Sequence, residues 1–335
     1  MMNKLNSKII LIIGMLIGLL ACSEDLDLVS EGNSCPVVYC LLNPNDTVHY
    51  LRIAKSFQIF SNAMDSPPVS DSLIYDEDFY AYLVENDVNS GKEIFYFEPC
   101  DKTDRDSGFY HVENLGLLKV KCQIKTGTEY SVYIYSPELP KLIVGSTMVI
   151  PSFEILDPVY MPGREVTLLP DQGFDLRWIH NYKYAVYQPG VRIHYLEGDA
   201  DFQVQKTVRL DLPEVFSYTE AATVVDYLNG ANFYKGIIQQ LSLPPPGKKR
   251  KLIGFDFEVC AGGEEMALLR QGERDENNPF SQIRSYTNFD GAQGIFSTRV
   301  FQTSHNNRFS DITENYLATS AETKQLGFLA HGEEF

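Results

Sequence analysis

The chain has 335 residues, with 45 Asp and Glu against 28 Lys and Arg, for a formal net charge of −17. That balance argues against a nucleic-acid partner, whose phosphates demand clustered cations, and against adsorption to anionic lipid. Twenty Tyr and twenty Phe beside a single Trp suit half-buried pleated surfaces, so a sheet-rich protein is expected.

The first element in chain order is an apolar run. Lys4 and Lys8 precede residues 9–20, which are apolar except for Gly14 and Gly18. About a dozen apolar residues fall short of the roughly 20 that cross a bilayer, but they match a signal-peptide core in length and flanks. The run ends Leu19-Leu20-Ala21-Cys22, which resembles the lipobox of bacterial lipoproteins. That resemblance implies cleavage before Cys22, a diacylglycerol on its sulfur and usually a further acyl chain on the new N-terminus. Two or more chains anchor stably where one binds only marginally. Residues 1–21 are thus expected to be a lipoprotein signal peptide and 22–34 a polar tether. Ser23-Glu24-Asp25-Leu26-Asp27 resembles the surface-export signal of Bacteroidota lipoproteins, which implies an outer-membrane protein facing the cell exterior.

Beyond the tether the pattern is that of strands. Runs at 35–42 and 47–54, joined by Asn43-Pro44-Asn45-Asp46, read as a hairpin. Further strands are expected at 78–85, 92–98, 116–124, 129–135 and 142–149, separated by Asn, Asp, Gly and Pro clusters. This spacing predicts an antiparallel β-sandwich over 35–150. Pro151 and the stretch from Pro158 to Gly163 mark a boundary, and 151–335 is expected to be a larger β-rich domain with one or two helices. Its strands fall at 174–179, 183–187, 191–196, 207–212, 252–260, 265–269 and 294–302. Tyr227, Ala231, Tyr234, Ile238 and Leu241 recur at three- and four-residue steps and predict a helix near 221–242, stopped by Pro244–Pro246. A final helix is expected within 311–325. Lys248-Lys249-Arg250-Lys251 reads as a solvated loop, and Trp178, alternating with Phe174 and Leu176, as core.

Several of these pieces resemble a known family. Pro36-Val37-Val38-Tyr39, the hairpin from Asn45 to Ile53, the run from Lys125 to Ile134 and the segment from Gly145 to Pro151 carry the likeness. Asn278-Pro279-Phe280 and the stretch from Asn288 to Phe296 complete it. With the lipobox they resemble an uncharacterised family of Bacteroidota outer-membrane lipoproteins. Members are often encoded beside TonB-dependent transporters, and their expected form is an immunoglobulin-like N-terminal domain followed by a larger, mostly β domain. The resemblance implies address, fold and a transporter partner. It carries no catalytic residues onto this chain.

The chemistry-bearing residues are sparse. With Cys22 lipidated, Cys35, Cys40, Cys100, Cys122 and Cys260 remain, an odd number that cannot all pair within one chain. Export permits disulfides, and Cys100 with Cys122, on or beside successive strands, is the expected pair. His49, His111, His180, His194, His305 and His331 show no helical metal-site spacing, and no CxxC, HExxH, Gly-x-Ser-x-Gly or phosphate loop is present. Asp101, Asp104 and Asp106 before Gly108 offer oxygen ligands to calcium, though acidic loops without metal are far commoner. No metal, cofactor or catalytic set is expected. Asp46-Thr47-Val48 and Asp71-Ser72-Leu73 resemble O-glycosylation sites of Bacteroidota exported proteins, at Thr47 and Ser72. The expected function is that of an accessory or binding lipoprotein without catalysis. A surface glycan or peptide hydrolase, and a fimbrial or adhesive matrix subunit, are the alternatives.

Overall fold

The computed structural model describes residues 35–56, 75, 79–87, 91–100, 117–180, 182–219, 222–276 and 286–335, and these fall in one compact unit. In chain order the first part contributes β1 (Pro36–Leu42), β2 (Val48–Lys55), β3 (Tyr80–Asp87), β4 (Gly91–Tyr96), β5 (Glu98–Pro99), β6 (Leu117–Lys121), β7 (Glu129–Tyr135) and β8 (Ile143–Met148). Side chains alternate faces along a strand. In β2, accordingly, His49, Leu51 and Ile53 are buried while Tyr50 and Arg52 are exposed. The buried faces of β1, β2 and β6 meet those of β3, β7 and β8 in one core built on Val38, Leu51, Leu83, Tyr130, Val132 and Ile143. This is the immunoglobulin-like sandwich.

The second part adds β9 (Ile155–Asp157), β10 (Gly173–His180), β11 (Ala185–Gly198), β12 (Gln203–Asp211), β13 (Val215–Ser217) and β14 (Ala222–Asn229), then helix α1 (Gly230–Gln240). After these come β15 (Lys249–Gly262), α2 (Glu264–Glu276), β16 (Phe289–Asp290), β17 (Gln293–Asn307), α3 (Asp311–Thr319) and a 3-10 turn at Lys324–Leu326. A second core gathers Trp178, Tyr187, Ile193, Phe257, Phe309 and Leu317. Trp178 is fully buried there.

The two parts share a sheet. Nine strands run β12-β11-β15-β17-β1-β2-β6-β5, with β13 added on β11, while β14-β10-β9 and β16-β8-β7-β3-β4 form the other two. β17 pairs parallel with β1, Tyr39 opposite Ile295, and antiparallel with β15, so the longest strand belongs to both halves. Gly294 makes the approach feasible: it sits at φ 110°, and a Cβ there would lie 1.9 Å from the Val38 carbonyl oxygen. Phe289, Ala292 and Phe296 pack into the first core, although they follow it by more than a hundred residues.

Four expectations are corrected. The region 221–242 is not one helix: β14 occupies its first part, because Thr223, Val224 and Val225 are β-branched and pair with β10. The helix begins where the Asn229 side chain accepts a hydrogen bond from the Asn232 N–H at 3.1 Å, an N-cap. The 265–269 run is helical rather than extended, since Glu264, Glu265, Met266, Ala267, Leu268 and Leu269 are good helix formers with acids in the positive first turn. The basic cluster is no solvated loop: it opens β15, and Arg250 is buried against Glu197 at 2.7 Å. Finally, no disulfide joins Cys100 to Cys122. The Cys100 N–H bonds to the Leu117 carbonyl at the start of β6, and the Cys122 N–H to Thr47 beyond its end. Five residues of strand at about 3.3 Å each separate those points, too far for a disulfide.

Candidate functional site

On the outer face of the nine-stranded sheet, β11, β15 and β17 converge on Asp256. His194 Nε2 lies 3.0 Å from its Oδ2 and His305 Nδ1 3.1 Å from the same oxygen. The Asn306 N–H donates to Oδ1 at 3.0 Å. Two irregularities aim these groups. In the β15–β17 ladder Phe255 faces Asn307 and Phe257 faces Ser304, so Asp256 alone opposes both His305 and Asn306, a β-bulge. Asn306 takes φ 60°, the left-handed region that Asn tolerates better than most residues. A second bulge falls at the same level, where β15 carries Ile253 as an extra residue opposite the His194–Tyr195 step of β11. Between them Gly254 lets the chains close up, for a Cβ there would sit 2.4 Å from the Asn307 carbonyl oxygen.

Burial disfavours the Asp256 charge, but the hydrogen bonds from Asn306, His305 and His194 outweigh it and hold the carboxyl below its ordinary value. An ionised carboxylate only accepts, so the two ring nitrogens facing it carry protons. His194 Nδ1 is then buried without a hydrogen-bond partner among the described residues. The His305 side chain is 64% exposed. A cavity of about 450 Å³ opens here, lined by Tyr160, Gln205, Ile253, Asn306 and Arg308 beside His194 and Asp256. Tyr160, Gln205 and Arg308 are exposed. No serine, threonine, cysteine or lysine is among its described lining residues.

The other sequence candidates lie apart. His49 is buried and bridges the Asn43 N–H and the Cys122 carbonyl, and His180 is buried against the Tyr187 hydroxyl. Burial holds both imidazoles below their ordinary value. His331 pairs with Glu314 at 2.8 Å. Thr47 is exposed in the β1–β2 turn. Cys22, Ser72, Asp101, Asp104, Asp106 and His111 lie outside the described residues. Among the described residues no group of three His, Cys, Asp or Glu side chains is arranged to hold a metal ion. The Asp256 cluster escapes a sequence reading because its members sit on three strands. The one local signal is His305-Asn306-Asn307, a run of turn-forming residues inside a strand.

No family model matches the chain, and no curated protein is significantly similar to it. Solved structures share only distant likeness. A DUF4785 family protein from Legionella pneumophila is 10% identical over 68% of this chain and 51% of its own, with a TM-score of 0.21. The FN1–FN3 domains of chicken CNTN1 are 12% identical over 68% and 62%, with a TM-score of 0.22. CBD12 from CALX1.2 is 10% identical over 78% and 95%, with a TM-score of 0.17. The chain thus spans about half the length of the Legionella protein, and none of these likenesses bears on function.

Proposed function

We propose that this chain is a lipid-anchored, non-catalytic binding protein of the outer membrane, facing the cell exterior beside a TonB-dependent transporter, and that the Asp256 cavity receives a small hydroxyl-rich ligand such as a saccharide. The observation that carries the reading is the fixed Asp256 carboxylate. Three donors hold it at a doubly bulged point of a sheet, so no ordering cost remains when a ligand hydroxyl approaches. Around it Gln205, Asn306 and Arg308 supply both donors and acceptors, and Tyr160 a ring face. Convergent polar groups in a concave site are the usual makings of a small-molecule site. The address rests on Cys22 and its flanks, and the transporter on the family resemblance. Among the described residues no helix is long and apolar enough to cross a membrane.

Calorimetric titration of the purified mature chain with a panel of neutral mono- and disaccharides tests the cavity. Saturable heat that Asp256→Asn weakens about tenfold or more is expected; no heat with any member of the panel removes the reading. Cys22→Ser tests the anchor, and is expected to release the protein into the detergent-free fraction.

The Asp256–His305 pair favours a second reading, in which the exposed imidazole acts as general base of a surface hydrolase. Turnover of a glycan or peptide that disappears in His305→Ala would replace binding with catalysis.

A further inference from the structure

The nine-stranded sheet carries another concavity, of about 410 Å³, between the β1–β2 hairpin and helix α2. Register builds one wall. Arg52 stands opposite Tyr39, and Tyr39 opposite Ile295, so the three share a face. Tyr50 and Arg299 lie on that face by the two-residue strand period. Helix α2 forms the other wall with Met266, Leu269, Arg270 and Glu273, which at steps of three and four occupy one helix side. Tyr39 and Tyr50 remain 48% and 43% exposed.

Arg52, Arg270 and Arg299 line it with Asp46 and Glu273, and the ion pairs are unevenly shared. Asp46 accepts from Asn43 at 2.8 Å, and Arg270 is engaged by Glu273 at 2.7 Å and Glu214 at 3.3 Å. Arg52 and Arg299 have no carboxylate at ion-pair distance among the described residues, and Arg299 lies 5.4 Å over the Phe301 ring. In a chain of net charge −17, two guanidinium groups without an ion-pair partner among the described residues, beside exposed tyrosines, leave donors available to a carboxylate. A guanidinium takes a carboxylate through two parallel hydrogen bonds. Arginine and tyrosine are also the side chains that dominate binding at interfaces.

We infer that this cleft docks an acidic peptide segment of a partner protein, with carboxylates on Arg52 and Arg299 and intervening aliphatic side chains against Tyr39, Tyr50 and Leu269. A nucleic acid fits poorly, because its continuous charge meets the repulsion of the whole chain, whereas a segment with two carboxylates matches the two guanidinium groups. The inference is independent of the Asp256 cavity.

The test uses the mature full-length chain and a fluorescein-labelled synthetic peptide of alternating Glu and Leu, read by anisotropy. Saturable binding is expected, weakened by raised salt and about tenfold or more by the double substitution Arg52→Glu, Arg299→Glu. The same peptide with Gln for Glu is expected not to bind. Equal binding of the Gln peptide to the wild-type chain, or a double variant that binds as before, overturns the inference. A wild-type dimer in sedimentation equilibrium that the double variant dissolves would also overturn it, by making a second copy the occupant.

Discussion

Glu265 in the first turn of α2 accepts a hydrogen bond from the Thr147 hydroxyl of β8 at 3.0 Å, tying the C-terminal part of the chain to the N-terminal sandwich. The same Oε2 accepts from Ser297 of β17 at 2.9 Å. Burial is the main influence on this carboxyl and, with nearby Glu264, raises it above the ordinary value against the pull of those hydrogen bonds.

A carboxyl raised in the folded state binds its proton more tightly there than in the unfolded chain. Its contribution to stability is full below the ordinary carboxyl value and is lost as pH rises through the raised one. Glu265→Gln keeps an acceptor for both hydroxyls and removes the titration. Its melting temperature is expected to exceed wild type at pH 8 and to converge with it at pH 4.

Asp256 behaves oppositely. Its carboxyl is held low, so its contribution is present above the ordinary value and lost as pH falls through the lowered one. Asp256→Ala leaves the Asn306 N–H and two imidazoles without their acceptor. Chemical denaturation at pH 7 is expected to show a loss of about 1–3 kcal/mol, shrinking under acid.

Tyr130 donates to Glu85 Oε2 at 2.6 Å and accepts from the Lys125 N–H at 3.0 Å, while the Lys125 ammonium caps the other oxygen. Both Tyr130 and Glu85 are buried. Tyr130→Phe removes one hydroxyl from two partners and is expected to cost about 1–3 kcal/mol by the same measurement. A cost near zero would mean that water replaces the hydroxyl.

Arg250 clasps the C-terminal segment. Its backbone N–H bonds to the Gly327 carbonyl at 2.8 Å and its carbonyl accepts from Leu329 at 2.7 Å. Its guanidinium reaches the Leu326 carbonyl at 3.0 Å and Glu197 at 2.9 Å. Arg250→Ala leaves Glu197 buried with Lys206 as its remaining cation, and removal of one partner of a buried pair costs about 3–5 kcal/mol. Amide exchange at Leu329, whose N–H bonds to the residue 250 carbonyl, is expected to accelerate beyond that of the core strands, since the guanidinium's hold on the Leu326 carbonyl is lost along with the pair.

Alternation and turn residues are local quantities, so the β1–β2 hairpin, the strands of the sandwich, the core position of Trp178 and a helix through Tyr234 were legible in the chain itself, although its buried face is Phe233, Tyr234 and Ile237 rather than the row through Ala231. Local pattern misled where two periods compete: the apolar spacing from Tyr227 onward suits a helix, yet pairing with β10 holds residues 222–229 extended. Partner choice is a different matter. That β17 should lie parallel to β1, that Phe289 and Phe296 should fill the first core, and that His194, Asp256 and His305 should meet depends on register between strands far apart in sequence. A one-residue slip there reverses every face, and no short window of residues encodes it. The acidic balance and the apolar run ahead of Cys22 belong to the sequence alone; the bulged carboxylate site exists only once three distant strands are packed side by side.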